Sequence, residues 1–185
     1  MVLAVRRELE WAGRVTAAVP GATADEAWAL LSDFVAFHRW HPRVAKCRRV
    51  SGSARSPGCV RYCEGVPRGG GGVAADWAHE TLLEHDAARR VLRYEMNDNN
   101  MGFGRFFATF SVVVAAAGVG GGCELRWEFE CEPVAGTAKE ALAARLQDGL
   151  DGMARRVQEA LSAAAAVAME ASTGGDVKLG TSIAV

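Results

Sequence analysis

The chain has 185 residues, 50% hydrophobic and 23% charged, enough for one domain with a buried core. Its 21 Lys and Arg against 22 Asp and Glu leave a net charge of −1, which excludes a nucleic-acid binder working by bulk phosphate attraction. No run approaches the roughly 18 consecutive apolar residues of a membrane span. The residues before Trp11, interrupted by Arg6 and Arg7, lack a secretory apolar stretch, so a cytoplasmic location is expected.

In chain order, Val15, Ala17 and Val19 alternate with Arg14, Thr16 and Ala18, a first strand that Pro20-Gly21 breaks. Thr23 and Glu26 form a capping box for a helix over 24–31. Ser32 or Asp33 can cap a second short helix over 34–40, which His41-Pro42 ends. Strands follow over 44–50, 59–65, 75–85, 90–96 and 105–116. In the last strand Leu125, Trp127, Phe129 and Cys131 face one way and Glu124, Arg126, Glu128 and Glu130 the other. A helix over 137–169 carries Leu142, Leu146, Leu150, Met153, Val157 and Leu161 as one apolar stripe. This order predicts an α+β domain over 10–169, with an N-terminal arm over 1–9 and a disordered tail over 170–185.

Several segments resemble a known family: 11–15 (WAGRV), 25–34 (DEAWALLSDF), 58–62 (GCVRY), 76–80 (DWAHE) and 126–131 (RWEFEC). Over roughly 11–161 the chain resembles the START-like and Bet v 1-like (polyketide cyclase) superfamily, and within it the plant lachrymatory-factor-synthase-like group. The resemblance implies a helix-grip fold: a curved antiparallel β-sheet wrapped around a long C-terminal helix, with two short helices after the first strand. It also implies a shielded cavity holding a small apolar ligand or a reactive sulfur metabolite. In the lachrymatory group an Arg and a Glu on neighbouring strands isomerise an unsaturated sulfenic acid to a thial S-oxide. Those positions match Arg61 and Glu80. Two family tyrosines fall on Phe103 and Phe106, a departure that removes hydroxyl donors.

On the residues alone, Arg61 and Glu80 fit either an exposed cross-strand ion pair, worth about 0–1 kcal/mol, or a shielded pair that is costly to bury unless used. A one-residue slip in register would turn both to solvent. Phe37, Trp40, Phe103, Phe106, Trp127 and Met153 are the candidate ligand-binding wall, with simple core packing as the alternative for the aromatics. The glycine loop over 67–72 and the segment 97–102 would flank the cavity mouth. The glycine loop lacks the Gly-Lys-Ser/Thr of a phosphate loop, and neither loop carries the gate and latch motifs of abscisic-acid receptors. His38 and His41 read as surface or helix-end residues. The five cysteines, Cys47, Cys59, Cys63, Cys123 and Cys131, read as free thiols without zinc spacing. No cofactor, metal, nucleic-acid or membrane partner is expected. Two functions stand: small-molecule binding without turnover, and a cofactor-free isomerase in which Arg61 holds the oxygen and Glu80 moves the proton.

Overall fold

The alternation of Val15, Ala17 and Val19 against exposed neighbours makes β1 (Trp11–Pro20), buried on one face only. The structure, a computed structural model, describes residues 9–67, 74–115 and 122–173. After β1 the Thr23 hydroxyl accepts from the Glu26 N–H while the Glu26 carboxylate accepts from Thr23 N–H, and this reciprocal cap starts α1 (Ala24–Leu31). The Asp33 carboxylate accepts from Val35 N–H at 2.9 Å. That local bond tightens Phe34–Ala36 into a 3-10 turn, so the second helix, α2, covers only Phe37–Trp40. The strands are β2 (Val44–Ser51), β3 (Val60–Gly65), β4 (Trp77–Asp86), β5 (Val91–Asn99), β6 (Phe106–Val114) and β7 (Gly122–Cys131).

All seven strands join one antiparallel sheet in the order β1-β7-β6-β5-β4-β3-β2. The long α3 (Lys139–Thr173) packs on β1 and β7. Leu150, Met153 and Val157 of its apolar stripe are fully buried with Val19, Leu125 and Phe129 of the sheet. Moving these surfaces out of water drives the closure, at about 1.5–3 kcal/mol per large side chain. The result is the α+β helix-grip arrangement, with α1 against β6 and β7 and α2 against β2. Among the described residues no helix is long and apolar enough to cross a membrane.

Two elements extend three or more residues beyond their sequence expectation. β5 runs to Asn99 rather than Met96, because Asn99 pairs with Ala78 while its side chain accepts from Met101 and Phe103 N–H and donates to the Phe103 carbonyl. Half of the supposed mouth segment 97–102 is therefore strand. α3 runs to Thr173 rather than Met169, through an alanine-rich exposed stretch of high helix propensity. The arm over 1–8, the glycine-rich stretch over 68–73 and the tail from 174 lie outside the described residues.

α3 passes close beneath the chain leaving α2. A Cβ at Gly149 would fall on the His41 imidazole, and one at Gly152 would come 2.5 Å from Pro42 Cγ. A Gly-to-Ala change inside an exposed helix ordinarily gains about 1 kcal/mol. Here His41 is wedged between the Phe37 and Trp127 rings at 4.9 and 5.9 Å and has little room to retreat. Overpacking of about 1–3 kcal/mol outweighs the propensity gain. Gly149→Ala is thus expected to lower stability in urea unfolding; a more stable variant would refute this packing.

Candidate functional site

β3 carries Arg61 and Cys63 inward and Tyr62 and Glu64 outward, by the two-residue period of a strand. β4 likewise turns Ala78, Glu80 and Leu82 inward. The β3–β4 register sets Arg61 directly opposite Glu80. Both are buried, at 2% and 7% exposure. Arg61 Nε donates to Glu80 Oε2 at 2.6 Å, and Arg61 Nη1 donates to the Phe34 carbonyl at 2.6 Å. The guanidinium also lies over the rings of Phe34, Phe37 and Tyr94, at 3.9, 4.5 and 5.0 Å from their centroids. Burial opposes its charge, but the Glu80 carboxylate and its other neighbours more than reverse this and hold Arg61 above its ordinary pKa. The pair is buried rather than solvent-facing.

Two voids flank this pair. The larger, about 470 Å³, lies among β3, β4, the chain leaving α2, and α3. Phe37, His41, Val44, Cys63, Trp77, Ala78, Glu80, Met96, Met101 and Leu146 supply most of its wall. Its rim is charged: Arg145 Nη2 donates to Asp76 Oδ2 at 2.7 Å, tying α3 to the chain before β4. The smaller, about 20 Å³, holds Arg61, Phe34, Phe37, Trp40, Tyr94, Trp127 and Met153 in its lining. Glu80 therefore faces the large void, Arg61 faces the small one, and Phe37 stands between them.

Phe37, Trp40, Trp127 and Met153 are brought together with Arg61 around the small void. Phe103 and Phe106 meet each other edge-on at 5.1 Å, and Phe106 stacks on Phe129 at 6.4 Å. The sheet links them to the large void through Met96, which pairs with Phe106 across β5 and β6. His79 is on the outer face, with its ring 5.2 Å from Tyr62.

Two side chains of the site were missed by the sequence reading. His41 does end α2, as one of the two expectations had it, but it is not a surface residue. It is 9% exposed, lines the large void, and accepts from Arg43 N–H through Nδ1 at 3.2 Å. Burial, joined by the charges of Arg43, Arg61, Arg145 and Arg156, lowers its pKa to about 3. Tyr94 is buried beside Arg61, and its hydroxyl accepts from Trp127 Nε1 at 3.1 Å. Burial and then the Glu80 charge push its pKa up. The alternation of Leu92, Tyr94 and Met96 along β5 was the available signal for it. Among the described residues no three His, Cys, Asp or Glu side chains are grouped to hold a metal. The arrangement offers a fixed carboxylate and a neutral imidazole in a wall that also carries Arg43, Glu64, Asp76 and Arg145 beside its apolar residues, which suits hydrogen bonding or proton transfer to a small molecule.

Solved structures share this fold. An uncharacterized protein from Bacillus thuringiensis superposes with a TM-score of 0.63 at 17% identity, over 80% of this chain and 98% of its own. A Thermobifida fusca protein solved by NMR gives a TM-score of 0.62 at 26% identity, over 80% of this chain and 93% of its own. XoxI from Bacillus cereus gives 0.62 at 16% identity, over 80% and 94%. Residues 11–158, spanning β1 through most of α3, match the family described as polyketide cyclase / dehydrase and lipid transport, a fold for binding hydrophobic ligands, and the chain belongs to that family.

Proposed function

We propose that the chain binds a small, largely apolar molecule in the large cavity, with Glu80 and Arg61 as its polar pair. The observation that carries this is a cavity of about 470 Å³ with a buried carboxylate in its wall. That volume lies within the roughly 300–1,000 Å³ of small-ligand sites, where a few placed polar groups in an apolar wall fix orientation. Glu80 accepts an O–H or N–H of the ligand, and Arg61 holds the carboxylate in place from behind through a charge-assisted bond. Phe37 separates the cavity from an apolar end formed by Trp40, Trp127 and Met153. Phe103 and Phe106 back the wall beyond Met96.

Titration with anilinonaphthalene sulfonate tests the reading. Saturable one-site binding is expected. Leu146→Trp, which fills the cavity from α3, is expected to weaken it at least about tenfold, or 1.4 kcal/mol. Equal binding by that folded variant would remove the cavity as the site.

A second reading, a lachrymatory-factor-synthase-like isomerase, is favoured by one observation: the Arg and Glu that the resemblance implies are paired, with the Glu at the cavity. Glu80 would take the S–OH proton of an alkenyl sulfenic acid and return a proton to the distal alkene carbon. The electron pairs shift to give the C=S bond of a thial S-oxide, with no net gain or loss of atoms. The protein would be mixed with a lyase and an alkenyl cysteine sulfoxide, and the product followed by gas chromatography. Under this reading Glu80→Gln abolishes turnover while ligand affinity stays within about tenfold. No product from the folded wild type would leave binding alone.

A further inference from the structure

Cys47 of β2 and Cys63 of β3 are directly opposed in the antiparallel register, and their Sγ atoms are 2.7 Å apart. Cys59, Cys123 and Cys131 differ. Each is fully buried, and the register sets Cys123 opposite Val114 and Val19, and Cys131 opposite Phe106 and Trp11. All five thiols are free. Opposed antiparallel residues have Cα atoms about 4.5–5.5 Å apart, inside the roughly 4.4–6.8 Å that a disulfide spans. The backbone spacing of such an opposed pair is thus compatible with a disulfide.

Access and polarity favour reaction at this pair. β2 is an edge strand, and Cys47, on the same face as Cys63, is only half-buried, which leaves it partly exposed to a small oxidant. Cys63 is 8% exposed and lines the large cavity. The contact between the two sulfurs lowers the Cys47 pKa, outweighing burial and aided by the Arg61 charge. The same contact, with burial, raises that of Cys63. One thiol is thereby set to attack and the other to resolve.

We propose that Cys47 and Cys63 are a redox-active dithiol that closes a cross-strand disulfide on the cavity wall when it meets a small disulfide such as oxidised glutathione. The Cys47 thiolate attacks one sulfur of the oxidant, forming a mixed disulfide and expelling one glutathione thiolate. Cys63 loses its proton and attacks the Cys47 sulfur, expelling the second glutathione. Two protein thiols and one small disulfide become one protein disulfide and two glutathione thiols, with two electrons passing to glutathione. This chemistry stands whether or not the cavity turns over a substrate.

The test uses the full chain, reduced and then equilibrated with oxidised glutathione, denatured in N-ethylmaleimide and digested with trypsin. Cleavage after Arg61 separates Cys59 from Cys63. The expected product is a Cys47–Cys63 cross-linked peptide, with maleimide on Cys59, Cys123 and Cys131, all reversed by dithiothreitol. Bridging across this short loop is also expected to raise Tm by about 5 °C. In Cys63→Ser, Cys47 should stop at a lasting glutathione adduct; in Cys47→Ser, Cys63 should stay unmodified. Five maleimide adducts in the oxidised wild type, a wild-type mixed disulfide that never resolves, or a bridge to any other cysteine would overturn the proposal.

Discussion

Arg61→Met is expected to destabilise the protein by about 3–5 kcal/mol, because it leaves the buried Glu80 carboxylate without its cation. For a chain of this length that is a Tm loss of roughly 10 °C. Glu80→Leu should cost a similar amount by stranding the guanidinium. Arg61 is nearly out of reach of bulk water at 2% exposure: Nε donates to Glu80, Nη1 donates to the Phe34 carbonyl, and three aromatic rings lie against the guanidinium. Arg61→Lys should fall between wild type and Arg61→Met. An ammonium keeps the charge but cannot present the planar fork that reaches both oxygens. The double variant Arg61→Met/Glu80→Leu is the decisive member of the series. Removing both charges removes the desolvation cost with the attraction, so it should recover much of the loss. Single variants within about 1 kcal/mol of wild type, as for a solvent-screened pair, would show that water reaches this site.

What could be read of this pair from sequence shows where such reading stops. Strand periodicity places Arg61 with Cys59 and Cys63, and Glu80 with Ala78 and Leu82, on inward faces once the register is known. The register is not local information. It depends on how β3 and β4 are joined across residues 66–76 and on the buried positions of Cys59 and Leu82, whose backbones bond at 2.8 Å. The long amphipathic α3 was legible because its stripe repeats over many turns. The small departures have local causes: an Asp33 side chain that tightens a turn, an Asn99 side chain that closes a loop at a strand end. His41 was illegible for another reason. Beside Pro42 at a helix end, its local sequence is that of an exposed residue. Its burial comes from Gly149 and Gly152, far along the chain, which let α3 approach closely enough to cover it. Two glycines within an otherwise regular amphipathic helix were the signal that something packs there.

That burial gives the second large effect, an acid sensitivity that begins well above the carboxylate range. His41 has a folded pKa of about 3 against an ordinary value of 6.5. Its neutral ring accepts a backbone N–H at Nδ1, a bond that protonation would break. Between those values the unfolded chain holds a proton that the folded chain refuses. The stability is therefore fully present above pH 6.5 and lost as pH falls toward 3, at up to about 1.4 kcal/mol per pH unit. Glu26, Glu64 and Asp86, whose pKa values are lowered by hydrogen bonds from Thr23, Lys46 and Arg89 respectively, add to acid lability only from about pH 4.5 downward. The interval from pH 6.5 to 5 lies above these carboxylates, and comparison with a His41 variant separates His41 from the other three histidines. Urea unfolding of the wild type should lose about 2 kcal/mol across it. His41→Asn, whose amide oxygen can replace Nδ1 as the acceptor for Arg43 N–H, should lose correspondingly less than the wild type over the same interval. NMR should find the His41 imidazole neutral throughout. A wild-type stability unchanged between pH 6.5 and 5 would mean that the ring accepts its proton in place, and that the cavity wall carries a cation at mildly acidic pH.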